Sequence, residues 1–146
     1  MKRLTQIGAL VLTVLLSLSM VACANTYPKI KKAFENEGYK QSEAVEGITK
    51  DFKSYTNKDG KEVALTVHVL TKLTSTAVIL EFKATDEMIQ FYNDNKAARD
   101  AVKDVTENED AKAFYNQLKE KGYANGNCML IPIGDAKSMC EIMKNA

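Results

Sequence analysis

The chain has a single histidine, His68, among its 146 residues. A serine–histidine or cysteine–histidine mechanism would have to use it, and no G-x-S-x-G nucleophile turn occurs anywhere. The three cysteines, Cys23, Cys128 and Cys140, do not combine with one histidine into a zinc-ligand spacing. Asn57-Lys58-Asp59-Gly60 and Glu107-Asn108-Glu109-Asp110 are rich in oxygen donors, but neither follows the EF-hand pattern. They read as a turn and a helix start. No glycine-rich phosphate loop is present, and Gly126 stands alone in a turn signal. Neither a metal nor another cofactor is expected, nor is an enzyme. The 20 lysines and arginines are interspersed with 19 acidic residues. No basic cluster is available to track a phosphate backbone, so nucleic acid is not an expected partner.

What is present is concentrated at the start. Met1-Lys2-Arg3 is a short cationic head, and residues 7–22 form an apolar run broken only by small polar residues. This is the layout of a secretory signal peptide. The run of about 16 residues falls short of the roughly 20 that span a bilayer. Met20-Val21-Ala22-Cys23 resembles the lipobox of bacterial lipoproteins, with Met20 standing where that family usually has leucine. The resemblance implies cleavage before Cys23 and a lipid on its thiol. It also implies an exported protein anchored to the cell membrane or the outer membrane. The rival reading is an A-x-A site at Ala22-Cys23-Ala24, cut before Asn25, which would release a soluble secreted or periplasmic protein.

Residues 1–22 are thus read as signal and residues 23–146 as one domain. With Lys2 and Arg3 removed, the remaining charge turns slightly negative. Lipidation of Cys23 leaves Cys128 and Cys140 as an even pair in a compartment that permits a disulfide. Distance opposes the bond. A strand from Cys128 to Ile133 climbs about 17 Å, and the following helix returns only about 6–8 Å by Cys140. A disulfide needs Cα atoms within about 7 Å. Both residues also sit on apolar stretches where buried thiols are ordinary.

The periodicity predicts the order α-β-β-β-α-α-β-α. A helix starts near Tyr27-Pro28, buries Ile30, Ala33 and Phe34, and ends at Gly38. Residues 41–47 read as a loop. A strand at 51–56 enters the Asn57–Gly60 turn. Val63, Leu65, Val67 and Val69 then alternate with Ala64, Thr66, His68 and Leu70, which is period two. Residues 71–75 turn into a buried strand at 76–82. A helix from Thr85 carries Met88, Ile89, Tyr92, Ala98, Ala101, Val102 and Val105, with a break at Asn93-Asp94-Asn95. Thr106–Glu109 has the capping-box pattern for a helix bearing Ala111, Phe114, Tyr115 and Leu118. Residues 128–133 read as a central strand, and the last helix places Ala136, Met139, Cys140 and Met143 on one stripe. The expected class is α+β: a small, mostly meandering, antiparallel four-stranded sheet with helices packed on one face.

Two finer patterns remain. Phe34-Glu-Asn-Glu-Gly38-Tyr39 is echoed by Leu118-Lys-Glu-Lys-Gly122-Tyr123, each closing a helix. Gly-aromatic C-caps also recur by chance. Tyr39 and Tyr123 are read as flanking one exposed edge, and Met88, Met129, Met139 and Met143 as core filling. The functional expectation is a membrane-anchored lipoprotein that binds an envelope protein or serves envelope assembly. The alternatives are a small-ligand-binding lipoprotein and a soluble secreted protein.

Overall fold

The computed structural model describes residues 26–42, 54–102 and 110–146. The candidate signal segment, Cys23, the 106–109 capping pattern and the first residues of the strand expected at 51–56 lie outside the described residues.

The first helix, α1 (Thr26–Asn36), is followed by a two-residue strand, β1 (Lys40–Gln41). Strands β2 (Ser54–Thr56), β3 (Glu62–Lys72) and β4 (Ser75–Phe82) then run as an antiparallel meander. Helices α2 (Thr85–Asp94), α3 (Lys96–Ala101) and α4 (Ala111–Lys121) precede strands β5 (Ala124–Asn125) and β6 (Cys128–Ile133). Helix α5 (Ala136–Asn145) closes the fold. The sheet order is β1-β3-β4-β6-β5, with β2 paired to the start of β3. The α+β class and antiparallel sheet are those the periodicity predicts. The sheet is wider than four strands because β1 and β5 add to its edges. Two residues are too few to show an alternation, and β1 overlaps the stretch read as a loop from residue 41.

Local signals set most boundaries. The Asn57 side-chain oxygen accepts from the N–H groups of Asp59 (3.0 Å) and Lys61 (2.8 Å), which closes the β2–β3 turn. Asn95 ends the α2 segment and caps α3 by accepting from Ala98 N–H at 3.2 Å. Asp110 caps α4 through Lys112 and Ala113 N–H, and Asp135 caps α5 through Ser138 N–H.

Strand alternation divides the core in two. On the front face, Val63, Leu65, Leu80, Phe82 and Met129 pack against Met88, Phe91 and Tyr92 of α2 and Phe114 and Leu118 of α4. On the back face, Leu70, Ala77, Ile79, Cys128 and Leu130 pack against Tyr27, Ile30 and Phe34 of α1 and Met139 and Met143 of α5. Helices therefore cover both faces, one layer more than the pattern suggests. The physical reason lies in β4 and β6. Ala77, Ile79 and Leu80 are all buried, as are Cys128, Met129 and Leu130, so consecutive residues on opposite faces both need cover. Burying each large side chain contributes about 1.5–3 kcal/mol. Met88, Met129, Met139 and Met143 are all fully buried, as core filling requires.

The two echoed segments form matching corners. Tyr39 N–H donates to Phe34 carbonyl at 3.0 Å, and Tyr123 N–H donates to Leu118 carbonyl at 2.8 Å. Gly38 and Gly122 take φ of +90° and +83°, the left-handed cap that glycine adopts without a Cβ penalty. Each corner leads into a two-residue edge strand, β1 on one side of the sheet and β5 on the other. Tyr39 and Tyr123 thus lie at opposite edges and are buried, rather than flanking one exposed edge. The apolar contact that completes such a cap draws both rings inward.

Candidate functional site

The back face changes character along its length. Near the β3–β4 turn it is apolar, with Leu70 opposite Ala77. Two residues further along β3 comes His68, and the next cross-strand row is Thr66, Glu81 and Cys128. His68 and Glu81 are diagonal neighbours on β3 and β4, and His68 Nε2 lies 2.7 Å from Glu81 Oε2, donating to the carboxylate. Tyr27, in the first turn of α1, lays its ring over the imidazole with centroids 3.4 Å apart and planes 11° apart. The helix, two strands and the ring stack fix His68 on both sides.

Tyr27 is 9% exposed, and its hydroxyl has no hydrogen-bond partner among the described residues. Burial, then the charges of Glu81, Cys128 and Glu35, push its pKa up to about 12. A buried hydroxyl without a partner costs about 1–3 kcal/mol. Beyond Tyr27 the back face opens into a shallow depression of about 360 Å³, lined by Ala64, Thr66, Glu81, Lys83 and Asn127 among others. Asn127 is itself buried, and its side-chain amide donates to the Phe82 carbonyl.

Of the two cysteines, Cys128 lies in this cross-strand row beside Glu81, while Cys140 is on α5. Cys128 and Cys140 are both thiols. Cys128 lies on β6 in the back-face core, where its thiol donates to Asn127 Oδ1 at 3.8 Å. Cys140 lies on α5 at the junction of the two cores. Burial raises the Cys140 pKa, against a hydrogen bond from Tyr123 that lowers it, so its thiolate is disfavoured. Cys23 lies outside the described residues.

His68 therefore has a carboxylate partner and an aromatic cover. The hydrogen bond gives His68 the partner that a half-buried sheet histidine needs. Among the described residues, no group of three histidine, cysteine or carboxylate side chains could hold a metal ion. No described helix is long and apolar enough to cross a membrane. Sequence reasoning missed two features. Nothing in the pattern joined Tyr27 to His68, because the contact spans 41 positions of chain. Leu73, read only as part of a turn, stands 97% exposed with φ +52°. No protein-family model, no curated protein and no solved structure matches the chain.

Proposed function

We propose that the chain is an exported, lipid-anchored envelope protein that acts by binding another protein rather than by catalysis. The observation that carries this reading is a spacing. Cys23 closes the lipobox-like Met20-Val21-Ala22-Cys23, and α1 begins only three residues later at Thr26. A packed domain starting so close to a lipidated residue stays at the membrane surface. Two or more acyl chains hold it there, each buried methylene contributing about 0.8 kcal/mol.

The intact mass of the protein extracted from native membranes tests the anchor. The expected mass is that of a chain beginning at Cys23 plus acyl groups. A bare chain beginning at Asn25 overturns the anchor and makes this a soluble secreted protein. Chemical crosslinking in intact membranes tests the binding role. A reproducible, specific partner is expected, and recovery of abundant bystanders alone counts against it.

A further inference from the structure

The back face is covered over only part of its length. From the β3–β4 turn as far as His68 it packs under α1 and α5, and its rows are apolar, with Leu70 opposite Ala77 and Ile79 opposite Leu130. One row further, Thr66 stands opposite Glu81, and Ala64 lies two residues before Thr66 on the same face. Both Ala64 and Thr66 are exposed. Here the depression of about 360 Å³ opens, with one carboxylate, Glu81, and one ammonium, Lys83, in its lining. Alanine and threonine are short, so they leave room above the strand that larger side chains would fill.

The lining is fixed in advance. Glu81 Oε2 accepts from His68 Nε2 at 2.7 Å, and the imidazole is itself stacked against Tyr27 with centroids 3.4 Å apart. The carboxylate is thereby held in place, while its other oxygen, Oε1, has no hydrogen-bond partner among the described residues. Asn127 is buried and ties the end of β4 to the β5–β6 turn. Its side-chain amide donates to the Phe82 carbonyl, and Phe82 N–H donates to the Asn127 carbonyl at 2.9 Å. Groups that are already placed lose little freedom when a ligand docks.

The charges say what fits. Glu81 and Lys83 are at most about 7 Å apart along the chain. They form no ion pair with each other, and Lys83 has none with any described residue. A simple anion in the depression would be repelled by Glu81, and a simple cation by Lys83. A molecule that carries both charges can satisfy both side chains through charge-assisted hydrogen bonds, which are about twice as strong as neutral ones. The Thr66 hydroxyl adds a group that can donate or accept. The volume lies at the small end of the range of about 300–1,000 Å³ typical of ligand sites, which suits a small molecule rather than a large cofactor.

We infer that this uncovered end of the sheet is a binding site for a small zwitterion, an amino acid whose ammonium pairs with Glu81 and whose carboxylate pairs with Lys83. The site is a further function beside the proposed envelope role. It requires neither a lipid on Cys23 nor a protein partner.

The test titrates glycine, β-alanine and γ-aminobutyrate, which space the two charges differently, into the isotope-labelled full-length chain in non-ionic detergent, followed by NMR. Expected is saturable binding of at least one of them with a Kd of about 1 mM or tighter, its amide shifts centred on Thr66, Glu81 and Lys83. Acetate and methylammonium, each carrying one of the charges, should bind about tenfold more weakly or not at all. Glu81→Gln and Lys83→Gln should each weaken binding about tenfold or more, whereas Lys29→Gln, on the exposed side of α1, should leave it unchanged. Glu81 also meets His68, so a Glu81→Gln chain that fails to fold leaves the decision to Lys83→Gln, whose side chain is exposed. The proposal is overturned by the absence of saturable shifts with all three amino acids, or by shifts centred elsewhere. It is equally overturned by acetate or methylammonium binding as tightly as the amino acids, or by a folded Glu81→Gln or Lys83→Gln chain binding as tightly as the parent.

Discussion

Two corners of this molecule are written in nearly the same residues and meet different neighbours. At Gly38 an added Cβ would touch only the Lys72 side chain, at 3.6 Å. At Gly122 it would run into the backbone of Cys140 on α5, within 2.7 Å of the carbonyl carbon and 2.9 Å of Cα. Both glycines carry the same left-handed φ and close their helices with the same hydrogen bonds. The difference is therefore tertiary. The first corner sits at an open edge, whereas the second is a wedge that sets how closely α5 approaches α4. The lesson is that a cap pattern specifies a conformation, not the tolerance of that conformation to change.

Alanine at the wedge should have the largest effect. Gly122→Ala combines left-handed strain with a clash against backbone that cannot step aside, and is expected to cost about 3–5 kcal/mol in urea unfolding. Comparable midpoints for Gly122→Ala and Gly38→Ala would show that the corners are not distinct. Truncating the residue that each cap draws on should erase the difference. Phe34 and Leu118 are both fully buried, so Phe34→Ala and Leu118→Ala should each lose about 3–4 kcal/mol. A loss under about 1 kcal/mol at either site would mean that its corner does not depend on core packing. Gly38→Ala should cost only about 1–2 kcal/mol, the left-handed penalty without a clash.

The smallest effect belongs to the other end of α1. Tyr27→Phe removes a buried hydroxyl that has no partner among the described residues, and should be neutral or stabilising by up to about 1 kcal/mol at pH 7. Its clearer signature is alkaline. The Tyr27 pKa is raised from 10.0 to about 12 in the folded chain, so the folded state keeps a proton that the unfolded state loses. That contribution is complete below pH 10 and drains away as pH rises from 10 towards 12. Chemical denaturation across this window should show a shallower decline in Tyr27→Phe than in the parent protein. Parallel curves would remove Tyr27 as the source.

Much of the fold was legible because it is local. The valine row of β3 reads directly as one face of a strand, and the Asn57–Gly60 turn and Asn95 cap are side-chain-to-backbone bonds within a few residues. The candidate site was legible only in part. His68 could be placed opposite the valine row from alternation alone. Its partners could not, since Glu81 arrives through strand register and Tyr27 through the packing of a helix 41 positions earlier. The second helix layer was written in the consecutive apolar residues of β4 and β6, but such runs do not say which helix supplies the cover.

By itself, the sequence determined the strand and helix periods, the capped corners at Gly38 and Gly122, and a single histidine without a catalytic motif. These follow from steric and hydrogen-bonding rules acting over a few residues. Tertiary structure alone decided that the echoed corners lie at opposite sheet edges, that Tyr27 stacks on His68, and that Glu81 reaches His68 from the neighbouring strand. Each depends on sheet register and helix packing, which bring together residues that no local pattern connects.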